Sequence, residues 1–165
     1  MALYHFSVRH VSRGKGQMVV ASAAYISGQR IYDGYYNKIH DYTSKSGVVF
    51  TEILTPEYVP ERMTDRETLW NEVEHVERNN KAQLAYSFDI ALQNELTLEE
   101  NIRLAKEFCQ EQFVVCGMIV DLAVHEGKSD NEEEPDNPHF HVLAPIRPFT
   151  EEGIWGNKQR REYIL

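Results

Sequence analysis

At 165 residues the chain is one domain, long enough to bury a real core. Its composition, 42% hydrophobic and 26% charged, is that of an ordinary globular protein, and no apolar run is long enough to span a bilayer. The net charge of −9 speaks against a nucleic-acid partner only on average. Residues 1–50 carry six Lys/Arg against two Asp, whereas residues 51–140 carry seven basic and twenty-one acidic side chains, so the first fifty residues remain able to form a basic surface.

The start, Met1 to Phe6, lacks the charged-then-apolar pattern of a signal peptide. Cys109 and Cys116 have no metal spacing, and a cytoplasmic chain with idle thiols is the plain reading. Residues 2–9 alternate as a strand does, with Tyr4, Phe6 and Val8 on one face and His5, Ser7 and Arg9 on the other. Ser12 to Gln17 is a basic glycine loop, and the Ala-rich stretch from Met18 to Ser27 reads as a helix stopped by Gly28. Residues 32–46 are polar, aromatic and turn-like, and residues 47–54 form a strand ending before Pro56. Thr64-Asp-Arg-Glu67 is a capping box opening a helix to about residue 79; Thr97-Leu-Glu-Glu100 opens another to about residue 112. Between them lies a strand at residues 84–92. Two further strands, residues 117–125 and 138–146, flank a polar loop and form a hairpin.

Alternation sorts these strands into two faces. Tyr86, Phe88, Ile90 and Leu92 share one face with Val120, Leu122, Val124, Phe140, Val142 and Ala144. The opposite face collects His5, Ser7, Arg9, Ser87, Asp89, Asp121, His125, His139 and His141. The expected fold is α+β: a central, mainly antiparallel sheet whose apolar face is covered by the two capped helices, with a site on the open polar face.

Asn137-Pro-His139-Phe-His141 is the most informative stretch. A lone His-x-His reads more readily as a solvated pair, but the hairpin brings His125 beside it, and three neutral imidazoles leave open positions on a divalent ion. Asp121 and Asp89 on the same face are candidates to orient those rings. A nucleophile or an activated water is still required. Tyr25 projects from a helix of small residues, Ala21, Ser22 and Ala24, although taken alone it is better explained by core packing beside Ile26.

The start of the chain, the Gln17…Ala23-Ala-Tyr25 helix and the block Asp121-Leu-Ala-Val-His125…Asn137-Pro-His-Phe-His141 together resemble the MobA/MobL mobilisation relaxases, within the wider HUH (His-hydrophobe-His) endonucleases. Leu69-Trp-Asn-Glu-Val-Glu and Leu92…Glu95-Leu-Thr also look like that family, so the likeness covers essentially the whole chain. It implies a relaxase domain over residues 1–165, cut from a longer protein, with the HUH sandwich fold. It further implies nicking of single-stranded DNA at an origin of transfer through a 5′-phosphotyrosyl link to Tyr25, with Mg²⁺ or Mn²⁺ on His125, His139 and His141. Zn²⁺ is a further occupant in isolation, because three imidazoles are softer than the oxygen set Mg²⁺ prefers. Accessory mobilisation and coupling proteins are implied partners. Relatives often carry a glutamate on the strand at residues 84–92; here Ser87 holds that position and Asp89 becomes the candidate acid, with His5, Ser87 and Asp121 in support.

Candidate DNA contacts are Arg9, Arg13, Lys15 and Arg30 around the tyrosine helix, and Trp155, Lys158, Arg160 and Arg161 near the end, cations with a stacking ring that suit a single strand. Three rival readings remain: a rolling-circle initiator or single-strand transposase, a silent metal-containing DNA-binding regulator, and a three-His hydrolase using metal-bound water. The Tyr-before-His order weighs against the first.

Overall fold

A computed structural model describes residues 5–158, so Tyr4, Arg160 and Arg161 lie outside the described residues. Seven strands and three helices follow one another as β1 (Phe6–Ser12), α1 (Val19–Ser27), β2 (Arg30–Asp33), β3 (Lys38–Asp41), β4 (Val48–Leu54), α2 (Arg66–Val76), β5 (Gln83–Ala91), α3 (Leu98–Gln112), β6 (Val120–His125) and β7 (His139–Pro145). Five strands make one antiparallel sheet in the order β1-β5-β7-β6-β4, and β2 and β3 form a separate hairpin. The α+β class is as the alternation predicts.

The placing of the helices differs from expectation. Only α3 lies over the face of Leu122, Val124, Phe140 and Val142, where it buries Ala105 and Cys109. Burial pushes the Cys109 thiol up to about 12, so it behaves as a small apolar core group. The other capped helix, α2, joins α1 on the polar face, where Leu69, Trp70, Val73, Val19, Val20 and Ala23 pack with Ala123 and Leu143. The sheet is therefore covered on both sides. The polar residues of the second face hid this because their small or apolar neighbours, Ala123, Leu143 and Ile53, supply the landing area.

Asp121 is central to that docking. Its carboxylate is fully buried and accepts Arg66 Nε at 2.8 and 3.0 Å, Arg66 Nη2 at 2.7 Å and Trp70 Nε1 at 2.8 Å, all from α2. The expected role of Asp121 in orienting an imidazole is thus replaced by a structural one. Arg13 is corrected in the same way. Its guanidinium is buried and donates to Glu74 Oε1 and to the carbonyls of Glu74, Glu77 and Asn79, fastening the turn after β1 to the end of α2. It has no surface to offer DNA.

Local chemistry accounts for most boundaries. Thr97 and Glu100 form the capping box of α3 as the sequence predicts, a device worth about 1 kcal/mol. At α2 the cap moves by one residue: Asp65 accepts from Thr68 N, while Thr64 closes a preceding 3-10 turn. Gly28 ends α1 with φ +66, a left-handed conformation that costs glycine nothing. The hairpin β2–β3 was hidden in the turn-like segment because each of its strands has only four residues.

Replacing Asp121 by Ala leaves Arg66 as an unpaired buried cation and is expected to cost about 3–5 kcal/mol of stability, read as a lowered urea midpoint. The Asp121→Leu/Arg66→Met pair removes both charges and recovers part of that loss, the remainder being the Trp70 Nε1 left without its acceptor.

Candidate active site

The sheet carries the site as cross-strand rows. His125 on β6 stands opposite His139 on β7, which stands opposite Ala91 on β5. In the next row Ala123, His141, Asp89 and Ser7 follow one another across four strands; one row further lie Asp121, Leu143, Ser87 and Arg9. The three imidazoles converge, with ring centroids 5.1 Å (His125–His139), 4.5 Å (His125–His141) and 5.0 Å (His139–His141) apart. One nitrogen from each lies within 4.8 Å of the other two, so the trio can hold a metal ion.

Backbone carbonyls, not acids, orient two of the rings. His125 Nε2 lies 2.8 Å from Ile26 O on α1, and His139 Nδ1 lies 2.8 Å from Asn137 O. A carbonyl only accepts, so each of these nitrogens carries the proton and presents the opposite one as a lone pair. Gly127 makes the second contact possible. The loop closes through Asn137 N donating to Gly127 O, and a Cβ at Gly127 would sit 1.9 Å from Asn137 O.

Two of the rings, His125 and His141, are also kept neutral. Burial pushes His141 down from 6.5 to about 4, with the charge of Asp89 opposing the shift and those of His125, His139 and Lys45 adding to it. Burial lowers His125 as well, against the raising effect of its bond to Ile26. Neutral, tautomer-fixed imidazoles are the state a divalent cation requires, and the donor set fits one.

Tyr25 is 51% exposed, which excludes the core role. Its ring stands edge-on to Tyr42, with centroids 5.3 Å apart. Tyr25 is the neighbour of Ile26, whose carbonyl binds His125, so α1 delivers the phenol and steadies a candidate ligand within two consecutive residues. Asp89 sits beside His141 and 4.0 Å from the exposed His5; both line a cleft of about 210 Å³ with Ala91, Asn137 and His139. Ser87 is a row away, next to Arg9.

The proposed DNA contacts divide. Arg9, Lys15 and Arg30 are exposed, Arg30 lying 3.9 Å from Asp41. Trp155 is engaged internally, its ring 4.3 Å from that of Phe149 and its Nε1 donating to Glu72. Lys158 is tied to Glu77 at 2.6 Å and to Gln83 O. Arg160 and Arg161 fall outside the described residues. Sequence reading missed Lys45, whose ammonium lies 3.5 Å from the centroid of the Tyr25 ring. It sits twenty residues from Tyr25 in a turn-like segment, and no local pattern marks it.

Among known proteins, residues 17–163 match the MobA/MobL family. A conjugal transfer protein TraA of Agrobacterium fabrum is 37% identical over 96% of this chain and 15% of its own length. A probable mobilization protein MobA of Bifidobacterium longum is 33% identical over 100% of this chain and 29% of its own. The chain thus spans well under half the length of these relatives. A solved structure concerned with the molecular basis of vancomycin resistance transfer in Staphylococcus aureus superposes with a TM-score of 0.85 at 38% identity, covering 96% of this chain and 77% of that one.

Two outcomes follow from the geometry. His139→Ala is expected to weaken Mn²⁺ binding, measured by calorimetric titration, by more than about 100-fold, beyond what loss of an outer partner costs. In metal-free protein, unfolded chains take up the His141 proton below about pH 6.5 and folded ones only near pH 4. Stability is therefore complete above pH 6.5 and falls by about 3 kcal/mol as pH drops toward 4, a slope that His141→Asn reduces in urea titrations, with His125 supplying part of the remainder.

Proposed function

The chain belongs to the MobA/MobL family, and from that premise we propose that it nicks and rejoins one DNA strand at an origin of transfer during mobilisation of a plasmid or integrative element. The observation that carries this reading is the pairing of an exposed tyrosine with three convergent imidazoles through one turn of α1. In the proposed reaction the Tyr25 hydroxyl attacks the scissile phosphorus. The bond from phosphorus to the 3′-oxygen breaks, leaving a 5′-phosphotyrosyl link and a 3′-hydroxyl. Asp89 is the proposed acceptor of the phenol proton, directly or through water, and the departing 3′-oxygen takes a proton from solvent. The reverse attack by a 3′-hydroxyl rejoins the strand, because the covalent link conserves the phosphodiester.

His125, His139 and His141 would hold Mn²⁺ or Mg²⁺, which supplies Lewis-acid neutralisation of the phosphate, and Zn²⁺ suits the same nitrogens in isolated protein. The exposed Arg9, Lys15 and Arg30 are proposed to track the DNA backbone. His5, beside Asp89, and Ser87, one row away, lie where the strand would pass. No helix among the described residues is long and apolar enough to cross a membrane. The proposed setting of the reaction is the bacterial cytoplasm, where accessory mobilisation and coupling proteins would meet the nicked DNA.

With Mn²⁺ and single-stranded oligonucleotides tiled across the origin region of the parent element, the protein is expected to form an adduct that survives a denaturing gel. Tyr25→Phe lowers its formation by more than about 10³-fold. An undiminished adduct in Tyr25→Phe would remove the tyrosine from this role.

A further inference from the structure

The segment joining β3 to β4 is fastened to both halves of the site. Tyr42 N donates to Gln29 O just beyond α1, and Gly47 O accepts from Glu126 N just beyond His125. Lys45 N donates to Tyr42 O, closing a turn that aims the Lys45 side chain inward. Its Nζ donates to Tyr25 O at 3.0 Å and lies over the Tyr25 ring. Two successive carbonyls near the end of α1 are thereby divided, Tyr25 O to the cation and Ile26 O to His125.

Lys45 is half-buried, and among the described residues it makes no ion pair. A desolvated ammonium normally acquires a carboxylate. This one has a ring face, one carbonyl and two N–H groups left over. A cation without a counter-ion, over an exposed phenol ring and on the carbonyl next to the one that binds His125, is a place kept for an anion.

We propose that Lys45 is a further catalytic residue, donating to a non-bridging oxygen of the scissile phosphate and holding that phosphate between the Tyr25 hydroxyl and the three histidines. The proposal rests on Tyr25 as nucleophile and deepens that reading. Lys45 stays protonated and forms no covalent bond. Its charge offsets the negative charge that grows on the equatorial oxygens as the phenol–phosphorus bond forms and the bond to the 3′-oxygen breaks. The phosphate then has cationic help from two sides, which suits a site whose imidazole ligands bring no charge of their own.

The test uses Lys45→Met, which keeps length and loses charge, and Lys45→Arg, which keeps charge, in single-turnover reactions with the same tiled oligonucleotides and Mn²⁺. Lys45→Met is expected to slow adduct formation about 100-fold at saturating oligonucleotide. Oligonucleotide and Mn²⁺ affinity stay within about 3-fold and the melting temperature is unchanged. Lys45→Arg should recover at least a tenth of the wild-type rate. A Lys45→Met rate within about 3-fold of wild type overturns the proposal, as does a loss that tracks Mn²⁺ affinity or melting temperature, or one that Arg does not restore. The underlying reading fails separately: Tyr25→Phe retains Lys45, and an adduct formed by that variant would overturn the nucleophile itself.

Discussion

The register of the central hairpin is the constraint on which the molecule depends. His125 faces His139 across the ladder, and the two-residue period of a strand sends His141 to the same side. A slip of one residue on β7 would turn both of its histidines toward α3 and bring Phe140 and Val142 into the site. The slip is opposed from both sides, because the two apolar residues and Val124 are fully packed under α3 while Leu143 and Ala123 are packed under α1 and α2. Two-sided burial makes the geometry of the three imidazoles a by-product of core packing. It also explains why three imidazoles sit in a fixed triangle without a carboxylate to hold them.

The helices on the site face are held by polar contacts as much as by apolar burial. Asp121 gathers Arg66 and Trp70, and Glu74 gathers Arg13. Glu77 gathers Lys158 and Arg147. Such pairs add little net stability compared with an apolar core of the same volume, but removing one partner is costly, so they specify a single docking of α2. That docking matters for the site, because α1 packs beside α2 and carries both Tyr25 and the carbonyl that orients His125. Asp33 is a buried acceptor of the same kind, facing His40 in the β2–β3 hairpin.

The chemistry of the site is a balance of neutral donors and a few placed charges. Burial keeps His141 and His125 unprotonated. Asp89 and Lys45 stand on either side with opposite signs, and both are felt at His141. Backbone carbonyls at Ile26 and Asn137 fix the two tautomers. Gly127 belongs to the same arrangement, since the chain can close on Asn137 only where no Cβ intervenes.

The residues alone determined the five strands of the main sheet, its two faces, the capped start of α3, the end of α1 at Gly28 and the convergence of His125, His139 and His141. All of these follow from local periodicity or from caps within a few residues. The tertiary structure decided the rest. Arg13, Lys158 and Trp155 read as DNA contacts because charge and aromaticity say nothing about partners sixty or more residues away, and Glu77 and Glu72 claim them. Asp121 shares a face with the imidazoles but is taken by Arg66, and Lys45 meets Tyr25 only because the β3–β4 segment is fastened across α1. Alternation tells which way a side chain points; only packing tells what waits there.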